Sequence, residues 1–298
     1  MPKNLLLSDF PPHLDIEATS RCNFNCSFCD KQPLLQKNQL GDIKMTLFKK
    51  IIDEGALFGL KSVQLSYRGE PLLHPDLAEM VHYAKKKGVH GVYFCTNGML
   101  LTPLMAQKLI SAGLDCITIS VQGSDSAAFE ETRLGAKYSV ILRNIKNLME
   151  TKMKYSLKSP YVKVQAVVLP DYDLEEYRKF WEPHCDEVIN VPFRDCLNRR
   201  KGIRTVWICE QPWQRLTIEW DGTILPCNND DIREFSPGNA RTMTIYEAWH
   251  HDKLKILRQL HLQGNSHEAV DCDGCTYRTL GFLETSVPLK IKGWRGFD

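Results

Sequence analysis

Six short runs rich in β-branched and aromatic residues recur over the first two thirds of the chain, with helical patterns filling the gaps. The runs are HLDIEAT (13–19), KSVQLSY (61–67), GVYFCTN (91–97), CITISVQ (116–122), YVKVQAVV (161–168) and VINVPF (188–193). Between them, Leu77, Met80, Val81 and Ala84 follow the spacing of one helix face, and Ile141, Ile145, Leu148 and Met149 do so with slightly different intervals. Strand and helix in alternation are the signature of a parallel sheet covered by helices. Six such units make an α/β fold of the partial (β/α)6 barrel type. Chemistry in that architecture collects at the C-terminal ends of the strands, where the loops converge.

Past residue 192 the alternation stops. LTIEW-DG-TILPC reads as a hairpin with Asp221 and Gly222 in a tight turn, and a helix is expected from about Ile245 to Leu260. A chain of 298 residues is long enough for one large core and a small satellite. The expected division is residues 1–195 for the barrel and 196–298 for a second unit with its tail. No internal repeat or low-complexity linker marks the boundary.

The net charge of +2, with both signs mixed along the chain, selects neither a nucleic acid nor a membrane surface as partner. The N-terminal apolar run is only three leucines, too short for a signal peptide, and no later stretch reaches the roughly 20 apolar residues of a membrane span. A cytoplasmic protein is expected.

Eleven cysteines in such a chain are read as metal ligands before disulfides, because the cytosol keeps thiols reduced. Cys22, Cys26 and Cys29 form C-x3-C-x2-C directly after the first strand. Three thiolates can hold three irons of a cubane cluster and leave the fourth open, whereas a zinc site normally takes four protein ligands. Cys209 and Cys227, with Gly222 in the turn between them, and the C-x2-C pair Cys272 and Cys275 make a second set. Four thiolates saturate a four-iron cluster, but zinc ribbons also use C-x2-C, so on spacing alone both metals stay open. Cys95, Cys116, Cys185 and Cys196 are isolated.

The first motif, with aromatic Phe28 before its last cysteine, resembles the radical S-adenosylmethionine (SAM) superfamily. The resemblance implies SAM bound at the open iron of a 4Fe–4S cluster and cleaved to a 5′-deoxyadenosyl radical that abstracts hydrogen from the substrate. Arg68-Gly69-Glu70-Pro71 is similar to the family's Gly-Gly-Glu segment, with Arg in place of the first Gly. It implies that Glu70 accepts a hydrogen bond from the SAM amine and that the Gly69 backbone approaches closely. Thr96-Asn97-Gly98 resembles another family loop, in which Asn97 also suits a turn. Ser120 and Gln122 correspond to polar residues touching the SAM ribose or carboxylate. Arg133 sits where relatives pair that carboxylate, although a surface salt bridge is an equally ordinary use of an arginine.

The second set resembles a SPASM domain lacking its last cysteines, the truncated Twitch form with one auxiliary 4Fe–4S cluster. Its four-cysteine pattern is most similar to that of 2-deoxy-scyllo-inosamine dehydrogenase, which oxidises a secondary alcohol of an aminocyclitol. The resemblance therefore implies two 4Fe–4S clusters, SAM, a small-molecule substrate and a reducing donor such as flavodoxin or ferredoxin. The expected reaction is dehydrogenation or epimerisation of a sugar or aminocyclitol carbinol. The alternatives are modification of a peptide and, in another class, a non-catalytic zinc-binding scaffold. An epimerase needs a hydrogen donor, and Cys196, in the linker after the sixth strand, is the candidate. Arg194 in that linker is a candidate substrate contact, or else a salt-bridge partner of Asp195. Arg199, Arg200, Lys201 and Arg204 are either a phosphate site or a solvated loop.

Overall fold

The computed structural model describes residues 5–27, 29, 40–123, 126–168, 173–192, 207–275 and 277–278. Strand β1 (His13–Ile16) leads into a loop containing the two-residue β2 (Asn25–Cys26), then α1 (Met45–Leu57) and β3 (Ser62–Gln64). The alternation continues with α2 (Leu77–Lys86), β4 (Gly91–Thr96), α3 (Pro103–Ala112) and β5 (Cys116–Ser120). Next come α4 (Ser126–Thr132), β6 (Arg133–Leu134), α5 (Tyr138–Lys154), β7 (Tyr161–Val168), α6 (Leu174–Trp181) and β8 (Glu187–Pro192). The C-terminal part holds α7 (Gln211–Gln214), β9 (Arg215–Ile218), β10 (Thr223–Leu225), β11 (Gly238–Asn239), α8 (Ile245–Trp249) and α9 (Asp252–Leu262).

The six strands expected from the sequence, β1, β3, β4, β5, β7 and β8, lie side by side and parallel, and with their helices they form the partial (β/α)6 barrel. On the other side of β1 the sheet continues. β9 pairs parallel with β1, placing His13 opposite Arg215 and Ile16 opposite Ile218, and β10 and β11 follow antiparallel. Nine strands from both parts of the chain thus share one sheet in the order β11-β10-β9-β1-β3-β4-β5-β7-β8.

Alternation along each strand divides the side chains between two faces. Leu14, Ile16, Val63, Val92, Phe94, Ile117, Ile119, Val162 and Val164 are buried in the main core with helix residues such as Leu77, Met80, Val81, Ala84, Ile141, Ile145 and Leu148. The opposite face carries polar groups. His13 Nε2 is 3.0 Å from Asp15, Arg215 Nη1 reaches Asp15 at 3.2 Å, and Lys163 meets Glu187 at 3.0 Å. Burial raises the Asp15 pKa, but the charges of Arg215 and His13 outweigh it and hold the carboxyl below its ordinary value.

The single helix expected from about Ile245 to Leu260 is two helices. Thr244 and Glu247 form a capping box that starts α8. The chain then leaves the helix at His250, and the His251 side chain accepts from Lys253 N at 3.2 Å to cap α9. Among the described residues no helix is long and apolar enough to cross a membrane.

Candidate cofactor and iron–sulfur sites

The loop after β1 carries the first three cysteines and is braced from several directions. Cys29 N donates to Cys26 O at 3.2 Å, closing a tight turn, and Ser27 N donates to Thr132 O at 3.0 Å. The small β2–β6 ladder sets Cys26 opposite Arg133, so that the guanidinium lies against the Cys26 thiol. Burial pushes that thiol up, and the Arg133 charge acts against the rise. Arg133 is itself buried, with its guanidinium 5.2 Å from the Phe129 ring centre.

The loop after β3 crosses directly beneath. A Cβ added to Gly69 would lie 2.2 Å from Thr19 O and 2.6 Å from Arg21 O, so only glycine lets these two backbones touch. The close approach expected of Gly69 is thus made, in the first instance, to the cysteine loop. Glu70 N then donates to Arg21 O at 2.8 Å. The Glu70 carboxylate is 3 % exposed and accepts from Leu72 N at 3.0 Å, Thr96 Oγ1 at 2.6 Å and Asn97 N at 2.7 Å. Burial nevertheless pushes its pKa up to about 7, against those three donors. A carboxylate offers about four acceptor positions, so one remains for a ligand.

Asn97 joins the same network: its Nδ2 donates to Asn23 Oδ1 at 2.8 Å, and its Oδ1 accepts from Met99 N at 3.0 Å. Asn23 was not singled out from the sequence, since an Asn in a loop carries no local signal. Ser120 ends β5 opposite Gln165. Gln122 is buried and spends its amide on Val167, donating to the carbonyl at 2.5 Å and accepting from the N–H at 3.0 Å. That leaves one amide hydrogen for any other partner. Cys95, on β4 below Thr96, has its thiol pushed up to about 11 by burial, against hydrogen bonds with Thr118 and Ser66.

The second set of cysteines comes together from three segments. Cys209 precedes α7, Cys227 follows β10, and Cys272 and Cys275 follow α9; all four line one cavity with Pro212, Phe235 and Leu257. Burial holds the Cys227 thiol well above its ordinary value, and the neighbouring Cys272, Cys209 and Cys275 push it further. Cys209 is pushed up to about 12, also chiefly by burial. Such thiols ionise only when positive charge arrives among them. Among the described residues no three His, Cys, Asp or Glu side chains converge tightly enough to hold one metal ion. The four thiols wall one cavity, and four thiolates would saturate a four-iron cluster there. His261, buried on α9, lies in the same wall with Nε2 3.5 Å from Cys272 Sγ. Nothing in the sequence pointed to it, because its spacing matches no ligand pattern.

Phe28, Arg194 and Cys196 lie outside the described residues, as do Arg199, Arg200, Lys201 and Arg204.

A parallel partial barrel, a three-cysteine loop at the end of β1 and a buried acid loop at the end of β3 define a class of SAM-dependent radical proteins. Residues 16–182 match the radical SAM superfamily, and the chain belongs to it. Residues 209–276 match the SPASM iron–sulfur cluster-binding domain. The protein is therefore a radical SAM enzyme with SAM and 4Fe–4S clusters as its cofactors. It is similar, at 24 % identity over 89 % of each chain, to the tungsten-containing aldehyde ferredoxin oxidoreductase cofactor-modifying protein of Pyrococcus furiosus. Its fold resembles BtrN in complex with AdoMet and 2-DOIA, with a TM-score of 0.60, 18 % identity, and 91 % of this chain and 94 % of BtrN covered. It also resembles Streptococcus suis SuiB bound to precursor peptide SuiA, with a TM-score of 0.68, 16 % identity, and 85 % of this chain and 67 % of SuiB covered.

Proposed function

We propose that the chain is a radical SAM dehydrogenase acting on a small polar carbinol of the sugar or aminocyclitol class. The observation that carries this reading is the match to BtrN, which spans nearly the whole of both chains. The two proteins therefore have the same extent of fold, and the BtrN complex holds 2-DOIA. Peptide modification is the second reading, favoured by the higher TM-score to SuiB.

When bound, SAM and the clusters supply a carbon-centred radical that takes a hydrogen atom and a sink for the second electron. The chain's own residues hold and orient those groups. Cys22, Cys26 and Cys29 provide three thiolates for the barrel cluster, and the Arg133 charge favours the thiolate at Cys26. Glu70 offers its remaining acceptor position to the SAM amine while Thr96, Asn97 and Leu72 fix the carboxylate in place. Ser120 and the free amide hydrogen of Gln122 face the same strand ends. Cys209, Cys227, Cys272 and Cys275 hold the auxiliary cluster in the cavity behind α7.

The test is anaerobic reconstitution, followed by incubation with SAM, a reductant and a panel of aminocyclitols, sugars and sugar nucleotides. A substrate-dependent rise in 5′-deoxyadenosine together with a ketone product is expected, and both vanish in the Cys22, Cys26, Cys29 triple alanine variant. Turnover confined to peptides would overturn the small-carbinol reading.

A further inference from the structure

The acid loop begins with Arg68, and that arginine is buried. Its Nη1 is ion-paired with Glu219, its Nη2 lies 3.8 Å from Asp231 and 3.2 Å from the Tyr67 hydroxyl, and the guanidinium sits 4.6 Å from the Tyr67 ring centre. Glu219 directly follows β9 and takes a second arginine, Arg233, at 2.7 Å. Asp231 and Arg233 belong to the segment immediately after Cys227. A third acid, the buried Glu17 just after β1, joins the two sides. Glu17 accepts from Arg68 N at 3.3 Å and from Trp220 N at 3.2 Å. The Trp220 ring in turn fills the space beside Gly41, where an added Cβ would fall 2.2 Å from the indole. Gly41 is tied to the cysteine loop through Ser20, whose N–H donates to Gly41 O at 3.0 Å.

Stability alone is a weak reason for such an arrangement. Buried ion pairs cost about as much in desolvation as they return, while the removal of one partner leaves an uncompensated charge. Their best-attested use is to fix one geometry among several. Here the geometry fixed is that of residues 68–70 against residues 219–233.

We propose that Arg68, with Glu17 and Glu219, is a positioning device by which the iron–sulfur domain sets the SAM-binding loop, so that SAM affinity depends on residues that never touch SAM. The inference rests on the reading of Glu70 as the acceptor of the SAM amine. Arg68 leads directly into Gly69 and Glu70, and the Gly69 backbone has no slack against Thr19 and Arg21. A displacement of Arg68 therefore moves the Glu70 carboxylate relative to the cysteine loop. A glycine at position 68 would leave the loop free of the second domain. Arginine ties it to the strand and turn that deliver Cys227.

The test uses the reconstituted full chain, with Kd for SAM, iron content, thermal stability and the SAM-induced change in the barrel cluster's EPR signal as readouts. Arg68→Met and Glu219→Gln are each expected to weaken SAM binding about tenfold at unchanged iron, about eight per chain. The double variant is expected to recover thermal stability, since neither charge is orphaned, but to bind SAM no worse than the weaker single variant and no better than the stronger. Arg68→Lys keeps the charge without the fork and is expected to fall between wild type and Arg68→Met, which covers the case that Arg68→Met does not fold. SAM affinity within twofold of wild type in Glu219→Gln, with Glu70→Gln weakened, overturns the inference alone. Losses that multiply in the double variant overturn it too, because they mark independent sites. If Glu70→Gln itself binds SAM normally, the reading of the SAM site fails and the inference with it.

Discussion

The Glu70 carboxylate spends three of its four acceptor positions on Leu72, Thr96 and Asn97 and still has its pKa pushed up to about 7 by burial. On the proposed role of Glu70, an N–H donor delivered to the last position favours the ionised form, so binding of the SAM amine there releases a proton from whatever fraction of Glu70 is protonated. SAM affinity is therefore expected to rise with pH below about 7 and to level off above it. Titration calorimetry from about pH 6 to pH 8 reads this directly, and Glu70→Gln should give a weaker and flatter profile. Glu70 was legible in the sequence as part of a motif, and so was the need for glycine at position 69. The partners that hold Glu70 were not, because Thr96 and Asn97 come from another strand end and reach it only through the fold. The buried acids Glu17 and Glu219 were equally hidden, since a polar residue on an alternating strand reads as solvent-facing.

Among the elements, the β9–β10 hairpin helps set the second domain's geometry, because its outgoing strand delivers Cys227. Gly222 makes its turn at φ +90°, and an added Cβ would lie 2.6 Å from Asn239 Oδ1, whose own Nδ2 donates to Asp221 O at 3.1 Å. Gly222→Ala is thus strained in backbone and in contact alike. The expected outcome is loss of the auxiliary cluster, with iron falling from about eight to about four per chain while the barrel cluster's EPR signal persists. The hairpin and its turn were legible from Asp221-Gly222. The break between α8 and α9 was not, since His251 caps a helix only once the chain has turned there, and histidine is no common cap in sequence. The two-residue ladder of β2 and β6, which brings Arg133 to Cys26, is too short to carry any pattern.

At the scale of the whole molecule, the barrel and the C-terminal part are joined by a buried charge. Asp15 on β1 accepts from Arg215 on β9 at 3.2 Å and from Thr217 at 3.3 Å, with His13 on its other side at 3.0 Å. Arg215→Met strands that carboxylate and is expected to cost about 3 kcal/mol or more in anaerobic urea unfolding. Adding Asp15→Asn should return part of that loss, and a double-mutant cycle measures how much belongs to the pair. The six barrel strands could be read from local alternation because each lies beside a near neighbour in sequence. The pairing of β1 with β9 could not, since nothing in either strand names a partner so far away.

Asp15 and Arg215 are 200 residues apart. A ribosome adding ~5–20 residues per second needs some ~10–40 s to make that stretch. For that interval the first strand emerges with one backbone edge waiting for a neighbour that does not yet exist, and an unpaired edge is the part of a sheet most ready to join another chain. The yield of folded protein should therefore depend on how fast the last third is translated, more than on how fast the barrel itself can form.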